Sequence, residues 1–369
     1  MFASIFKPAY LIILPALVIA GFGLATLYTF QGTNSFFTKQ AIVLGIALGV
    51  CLLASIPDYR FMRTGHSVLW IYIAMCGMLA LTYVLGFTAL GAQMSFDLGA
   101  FSLQPVEFAR IALILVLAKY FSMRHELIGS FRHIFVSGVY LGVPFVLTLL
   151  QPDFGSAIML GIIWFGIVLI SGIRMRHIAI VGSLATAGIT YLWLFKFEPY
   201  QKLRIYNFLD PLADIQNTGY NAYQATIASG SGQMLGKGIG YGTQSKLNYL
   251  PESQTDFIFA SFAEEWGFVG SMLLFVLFAA IVIFLIRAAR SAPTNFERIF
   301  TIGFAIYIVA QFTTHIGMNI GVLPITGLPL PFMSFGGSHL VSEFLALGMI
   351  IGMTKHTRRV VELERSELI

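Results

Sequence analysis

Ten long runs of apolar residues, each free or nearly free of charge, are the feature that most constrains how this chain can fold. A helix needs about 20 such residues to cross the hydrocarbon core of a bilayer. The runs are Tyr10–Phe30, Gln40–Pro57, Val68–Thr88, Gln104–Phe121, Ile134–Gln151, Phe154–Ile173, Ile178–Phe195, Phe257–Ile286, Ile299–Ile316 and Ser338–Thr354. They predict an all-α polytopic membrane protein with ten transmembrane helices. The fifth and sixth runs are divided by Pro152, which predicts two helices joined by a tight turn.

The composition excludes an ordinary soluble enzyme. Charged residues make up 11% of the sequence and hydrophobic residues 57%, whereas soluble domains average about 25% charged. The net charge of +5 is then expected to reflect basic cytoplasmic loops, and no nucleic-acid partner is predicted. No internal repeat or low-complexity tract divides the chain. Residues 1–369 are therefore predicted to form a single membrane domain.

The basic residues predict the orientation. With a cytoplasmic N-terminus, 15 of the 22 Lys and Arg residues fall in inside loops, six fall outside, and Arg110 lies within a run. This distribution follows the positive-inside rule and places both termini in the cytoplasm. One outer connection stands apart, because residues 196–256 separate the seventh and eighth runs and contain seven glycines. Long loops are uncommon unless they serve a function, so part of the active site is expected here.

Two ionisable residues inside the fourth run, Glu107 and Arg110, are the first candidate site. Ionisable groups in spans are expensive and mark function or a buried pair. Their i, i+3 spacing places them on one face of a helix. One interpretation is an ion pair that locks two helices. The other is a charged recess in which Arg110 binds a phosphate that Glu107 orients.

Asp256 is the strongest single candidate, because it ends the long loop directly before the eighth apolar run. A carboxylate at this boundary is partly desolvated, which suits it to accept a proton. The alternative is a helix N-cap, a position that Asp favours. Asp153 has the same two interpretations at another helix start. Glu264 and Glu265, inside the eighth run, are expected to support structure, one of them by pairing with a basic group.

The glycine-rich stretch 230–245 lacks the spacing of a phosphate-binding P-loop. Its glycines are expected to let the backbone turn tightly. Lys237 in this stretch is either an anion contact or a solvated lysine.

Five segments of the sequence carry specific motifs. They are QPVEFAR at 104–110, QPDFGSA at 151–157, residues 200–232 with FLDP at 208–211, residues 235–270 with GTQS at 242–245 and LPESQTDFIFA at 250–260, and residues 321–338 with SFGGS at 334–338. Together these segments resemble the SEDS family (shape, elongation, division, sporulation). The resemblance covers nearly the whole chain, and ten spans with one large outer loop between the seventh and eighth is that family's layout. The LPE that follows GTQS is more similar to the elongation branch than to the division branch.

The resemblance implies a peptidoglycan glycosyltransferase in the bacterial cytoplasmic membrane, with its active site facing outward. Such enzymes polymerise lipid II into β-1,4-linked glycan strands, and an α-linked donor giving a β link implies inversion with one general base. Asp256 matches the family's essential acid, and Glu107 matches its acid in the fourth span. Substrate contacts are then expected from Glu107, Arg110, Lys202, Arg204, Lys237, Gln244, Ser245, Glu252, Thr255 and Ser334, with Asp153, Glu264 and Glu265 in support.

The same resemblance implies the partners and cofactors. Lipid II and an undecaprenyl-type pyrophosphate lipid are the expected ligands, and a class B penicillin-binding protein and other elongation-complex membrane proteins are the expected partners. A divalent cation, Mg²⁺ or Mn²⁺, is a candidate cofactor, and no organic cofactor is expected. Three positions depart from the family pattern: Arg110 stands where Lys is common, IASGSGQ where IAIGSGG is common, and SFGGSH where SYGGSS is common.

Other classes of function stay open at this stage. A lipid II flippase could use the intramembrane charges, but a transporter needs a midplane site with access from both sides. The polar residues here concentrate in one outer loop and at outer helix ends. A scaffold that only recruits the penicillin-binding protein would not need Asp256, and a division-type member of the same family is a further alternative.

Overall fold

Long helices coincide with the apolar runs of the sequence. The computed structural model describes residues 10–30, 35–89, 92–97, 102–123, 131–172, 175–197, 199–210, 219–247 and 249–366. In this part of the chain, the long helices are α1 (Ile13–Thr29), α2 (Ser35–Ala54), α4 (Ser67–Leu85), α5 (Pro105–Ser122), α6 (Phe131–Leu150), α7 (Phe154–Ile170), α8 (Met175–Phe195), α12 (Ile258–Arg290), α13 (Asn295–Asn319) and α14 (Gly337–Ser366). A short helix, α3 (Arg60–Thr64), precedes α4.

The helical, multi-pass membrane class is confirmed. Seven of the long helices are apolar and long enough to cross a bilayer, judged by length and composition. Two more, α1 and α7, are apolar but shorter, and α5 carries Glu107, Arg110 and Lys119. The count of ten spans and the cytoplasmic placement of both termini stay predictions. The predicted break at Pro152 is confirmed, because α6 ends at Leu150 and α7 begins at Phe154.

The connection between α4 and α5 adds a small sheet to the otherwise helical fold. Three short antiparallel strands lie there in the order β1 (Phe87–Ala89), β2 (Ala92–Asp97) and β3 (Ser102–Leu103). The third apolar run extends to Thr88, but α4 stops at Leu85 because the backbone of Gly86 is extended, with φ −67° and ψ 149°. Strand pairing then satisfies backbone hydrogen bonds of the connection between the two helices.

The long connection between α8 and α12 contains helices of its own. They are α9 (Pro199–Leu209), α10 (Tyr220–Ser231) and α11 (Thr243–Lys246). The apolar face of α10 packs against α12 through Ala225 and Ala228, both fully buried. The loop is therefore anchored on the membrane helices, at the end of the molecule where α12 begins.

Helix α5 lies at the centre of the bundle. Fifteen of its 18 residues are buried, and it packs against α4, α6, α7, α13 and α14. A helix that is apolar on every face is expected in such a position. By contrast, large apolar side chains of the outer helices remain exposed, Trp70 at 68% and Val84 at 70% among them, as lipid-facing side chains do.

Helix α12 is broken at Gly267, where the backbone has φ 68° and ψ −164°. The glycine-rich loop supplies hydrogen bonds across the break. Lys237 N–H donates to the Glu264 carbonyl at 3.0 Å, and Phe268 N–H donates to the Gln233 carbonyl at 2.8 Å. A Cβ on Gly267 would lie 2.2 Å from the backbone nitrogen of Gly236. Glycine is therefore needed where the two backbones meet, both for the positive φ and for the close approach.

Candidate active site

A cavity of about 410 Å³ lies where α5, α7 and α14 begin and where the long loop enters α12. Its polar lining comes from segments that are far apart in the sequence. The lining residues are Ser95, Ser102, Gln104, Glu107, Arg110, Pro152, Asp153, Phe154, Gly155, Ser156, Gln201, Glu252, Thr255, Asp256, Thr326, Gly327, Leu328, Pro329, Phe335, Gly336, Gly337, Ser338 and His339. Six of the predicted site residues are thus brought together: Asp256, Glu107, Arg110, Asp153, Glu252 and Thr255.

Arg110 is the one basic side chain among these lining residues, and it is fully buried. Its Nη1 donates to Glu107 Oε2 at 2.6 Å, which confirms the contact expected from their i, i+3 spacing. Its Nη2 donates to Ser156 Oγ on α7 at 2.8 Å. The guanidinium carbon also lies 5.8 Å from the ring centre of Tyr307 on α13. The ion pair itself is within α5, and Arg110 links that helix to two neighbours.

Asp153 is the N-cap of α7, as one of its two interpretations expected. Its carboxylate accepts the N–H of Ser156 at 3.0 Å. Ser156 therefore contacts Asp153 through its backbone and Arg110 through its hydroxyl. This arrangement fixes the start of α7 against the charged pair of α5, so Asp153 shapes the cavity wall while lining it.

Asp256 lies two residues before the start of α12. The helix begins at Ile258, and its N-cap position is Phe257, which makes no side-chain capping bond. The capping acceptor comes instead from Asn319 on α13, whose Oδ1 accepts the N–H of Ala260 at 3.1 Å. Asp256 lies at the cavity wall beside Gly327. The role of Asp256, as base or as helix cap, stays a prediction.

Thr255 and Glu252 precede Asp256 in a tight turn. The Thr255 hydroxyl lies 3.2 Å from Glu252 Oε2, and Asp256 N–H donates to the Glu252 carbonyl at 3.1 Å. Ser334 stabilises this turn, because its hydroxyl donates to the Thr255 carbonyl at 2.8 Å. Ser334 is fully buried. Its described hydrogen bonds are to backbone, and a role in substrate binding stays a prediction.

Lys237 and Gln244 are not among the lining residues of the cavity. Lys237 Nζ donates to Glu264 Oε1 at 2.7 Å and to Thr243 Oγ1 at 2.9 Å. The same Glu264 oxygen accepts the backbone N–H groups of Thr243 at 2.9 Å and Gln244 at 3.1 Å. Glu265 accepts the N–H of Gly240 at 3.0 Å. The two glutamates thus hold the glycine-rich loop on α12. A role for Lys237 and Gln244 in substrate binding stays a prediction.

Lys202, Arg204 and Ser245 are the remaining predicted site residues. The Lys202 ammonium lies 5.8 Å from the ring centre of Trp193, and Lys202 does not line the cavity. The side chains of Arg204 and Ser245 are outside the described residues. A role for these three in substrate binding stays a prediction.

Some cavity residues were missed from the sequence. Gln104, Ser156 and Ser338 stand inside the segments QPVEFAR, QPDFGSA and SFGGS, so the motifs contained a signal for them. Ser338 joins two elements, since its hydroxyl donates to the Ser102 carbonyl at 2.9 Å and accepts the N–H of Gln104 at 2.8 Å. Gln201 stands inside the matching segment 200–232, and the packing of α9 brings it to the cavity.

No group of three or more metal-ligating side chains is close enough to hold a metal ion in the described ranges. Mg²⁺ is commonly held by one or two carboxylates together with substrate phosphates. The carboxylates that line the cavity suit that mode of binding. A divalent cation stays a prediction.

Comparison with known proteins agrees with this architecture. The family model of the FtsW, RodA and SpoVE cell cycle proteins matches residues 3–359. The chain therefore belongs to the SEDS family.

Relatives from several branches match at similar identity. Stage V sporulation protein E of Bacillus subtilis is 32% identical over 364 residues, covering 95% of this chain and 98% of that protein. Peptidoglycan glycosyltransferase MrdB of Escherichia coli is 36% identical, covering 79% and 78%. Probable peptidoglycan glycosyltransferase FtsW of Nitrosococcus halophilus is 37% identical, covering 76% and 73%. These values do not separate the branches, so the elongation branch stays a prediction.

Two solved structures share the fold. One is a chain of a peptidoglycan synthase complex that coordinates polymerization and crosslinking, with a TM-score of 0.80, 28% identity and coverage of 94% of this chain and 97% of that one. The other is the rod shape determining protein RodA of Thermus thermophilus, with a TM-score of 0.70, 26% identity and coverage of 93% and 95%.

Proposed function

We propose that this SEDS-family peptidoglycan glycosyltransferase polymerises lipid II into β-1,4-linked glycan strands, with Asp256 as the general base of an inverting transfer. The observation that carries the proposal is the single cavity in which Asp256 meets the Glu107–Arg110 pair. A base and a phosphate-binding cation are the two groups that this reaction requires of the protein.

In the proposed reaction, the 4-hydroxyl of the acceptor sugar attacks the anomeric carbon of the donor sugar. The bond from that carbon to the lipid pyrophosphate breaks, and Asp256 takes the hydroxyl proton. Inversion needs no covalent intermediate with the enzyme, so one carboxylate is sufficient.

Arg110 would stabilise the charge that develops on the leaving pyrophosphate. It is fully buried, and its Nε has no hydrogen-bond partner among the described residues. Such a donor is strong in a water-poor site and is already oriented by Glu107 and Ser156. A divalent cation held by the cavity carboxylates would supply further charge when bound.

The polyprenyl tails would lie along apolar surface between the helices. A groove of about 880 Å³ runs between α6, α7 and α8, and nearly all of its lining is hydrocarbon, from Phe135, Val139, Val143, Trp164 and Leu184 among others. Helix α7 connects this groove to the cavity, because its first residues line the cavity and its Trp164 lines the groove. This connection supports a lipid-linked substrate.

We further propose that the enzyme acts in cell elongation, in the bacterial cytoplasmic membrane, with the cavity facing outward. A class B penicillin-binding protein would supply the crosslinking activity. The similarity to a chain from a peptidoglycan synthase complex supports that partnership. A flippase is less well supported, because a transport path needs access from both sides, whereas this cavity lies at the helix ends.

The test is polymerisation of fluorescent lipid II by purified wild-type protein and by Asp256→Asn, with and without the partner. Loss of a general base lowers a rate by about 10² to 10⁴-fold, so we expect the variant to fold and to yield no detectable polymer. Asp58→Asn is the matched control, because Asp58 is exposed and pairs with Arg60 far along the chain from the cavity. Substantial polymer from Asp256→Asn would disprove the base assignment, and an inactive wild-type protein would disprove the function.

A further inference from the structure

The start of α14 opens into the cavity and carries no acidic residue. Gly336, Gly337, Ser338 and His339 all line the cavity, and the first turn of this helix contains no Asp or Glu. The first N–H groups of a helix have no acceptor within the helix, and the helix dipole makes this end partly positive. The cavity therefore includes an uncompensated positive helix end.

Two other helices that begin in the cavity, α5 and α7, differ in this respect. Helix α5 has Glu107 in its first turn, and α7 has Asp153 as its N-cap. A carboxylate at a helix start already satisfies the dipole and the free N–H groups. Of these three helices, α14 alone begins without a carboxylate.

His339 gives the second, independent observation. The residue is 5% exposed and lines the cavity, yet its Nε2 has no hydrogen-bond partner among the described residues. A Cβ on Gly336 would lie 2.6 Å from its Nδ1. Because residue 336 is glycine, there is room for the imidazole of His339 at this position. A buried polar atom without a partner points to a missing ligand or water.

We propose that the start of α14, with His339 and Arg110, forms the phosphate subsite that holds the pyrophosphate of a lipid-linked substrate. This inference rests on the function proposed above and adds the place where the pyrophosphate binds. Arg110 Nε is the second buried donor without a partner in the cavity lining. Backbone N–H groups, an imidazole and a guanidinium together are the donors that phosphate sites use.

The chemistry of His339 favours an anion over a neutral ligand. A neutral imidazole carries one N–H, so donation from Nε2 while Nδ1 keeps its proton requires the imidazolium form. A bound pyrophosphate stabilises this form, because it adds negative charge next to the ring. Binding should therefore be visible at the imidazole itself, independently of any enzyme activity.

The experiment uses farnesyl pyrophosphate as the probe and farnesol as its uncharged counterpart, titrated into the purified full-length protein in detergent. For His339→Ala we expect affinity for farnesyl pyrophosphate to fall about tenfold or more, since a charge-assisted hydrogen bond is lost. His339→Gln keeps a side-chain donor and should retain much of the affinity, and farnesol binding should not change. His177→Ala is the matched control, because His177 is equally buried but does not line the cavity.

A second measurement does not depend on the fold of a variant. In wild-type protein labelled with [¹⁵N]histidine, farnesyl pyrophosphate should move the His339 signals towards those of imidazolium. The His339 signals are assigned by their absence from the spectrum of His339→Gln. Unchanged His339 signals at saturation, or equal loss of affinity for the pyrophosphate and for farnesol, would overturn the subsite. An inactive wild-type enzyme that still shows the shift would overturn only the proposed function.

Discussion

The side-chain amide of Asn319 donates a 3.0 Å hydrogen bond to the backbone carbonyl of Asp256. The same side chain accepts the N–H of Ala260 at 3.1 Å and donates to the His315 carbonyl at 2.8 Å. Asn319 is fully buried near the end of α13. One amide therefore holds both the proposed base and the first turn of α12 in place, from a neighbouring helix.

Asn319→Ala is expected to lower both activity and stability. The change removes the described side-chain hydrogen bonds of Asn319, and each lost bond that leaves a buried partner unsatisfied costs about 1–3 kcal/mol. We expect a lower melting temperature and a polymerisation rate at least about tenfold below wild type, because Asp256 is no longer fixed. Thermal unfolding in detergent and the lipid II assay measure the two effects. Asn295→Ala, at the first position of α13, is the control. A wild-type polymerisation rate in Asn319→Ala would show that Asn319 does not position Asp256.

Exchanging the charged pair separates structure from substrate binding. In Glu107→Arg with Arg110→Glu, an ion pair can form again, but the carboxylate then occupies the place from which Arg110 contacts Ser156. We expect normal expression and no polymer, because a pyrophosphate would meet a carboxylate at close range. The single variants should be less stable than the double variant, since removing one partner of a buried pair costs about 3–5 kcal/mol. Recovery of polymerisation in the double variant would show that the Glu107–Arg110 pair is structural and does not bind substrate.

Gly267→Ala should destabilise the protein strongly. The added Cβ would lie 2.2 Å from the Gly236 nitrogen, and the φ of 68° disfavours any side chain. We expect a loss of more than about 1–3 kcal/mol from the strained backbone alone, read as a lower melting temperature. Gly161→Ala is the matched control, because it lies within α7 with nothing within 4 Å of the added methyl group. Equal melting temperatures for the two variants would show that the loop does not meet α12 at Gly267.

The orientation can be tested by cysteine labelling. The natural cysteines, Cys51 and Cys76, are first replaced by alanine, and single cysteines are placed at Leu247 and Ser291, which are both exposed. The positive-inside pattern predicts that an impermeant reagent added to spheroplasts labels the cysteine at Leu247 and not the one at Ser291. Labelling of Ser291→Cys alone would reverse the topology and place the cavity on the cytoplasmic side.

The sequence by itself determined the helical membrane class, the positions of the long helices and the contact between Glu107 and Arg110. Each of these depends on local properties. A run of apolar residues forms a helix in lipid because the backbone must satisfy its hydrogen bonds within the segment. Residues three apart on that helix must then be neighbours. The motif that contains Asp256 also placed it correctly at the end of the long loop.

Only the tertiary structure decided which residues share the cavity and what each polar group contacts. Lys237 and Asp256 belong to the same loop, yet Lys237 pairs with Glu264 while Asp256 lines the cavity. Asn319 caps a helix that begins 61 residues before it, counted from Ile258. His339 lines the cavity because α14 starts there. Such contacts join residues that are distant in the sequence, and they depend on how whole helices pack, which no local pattern of residue types encodes.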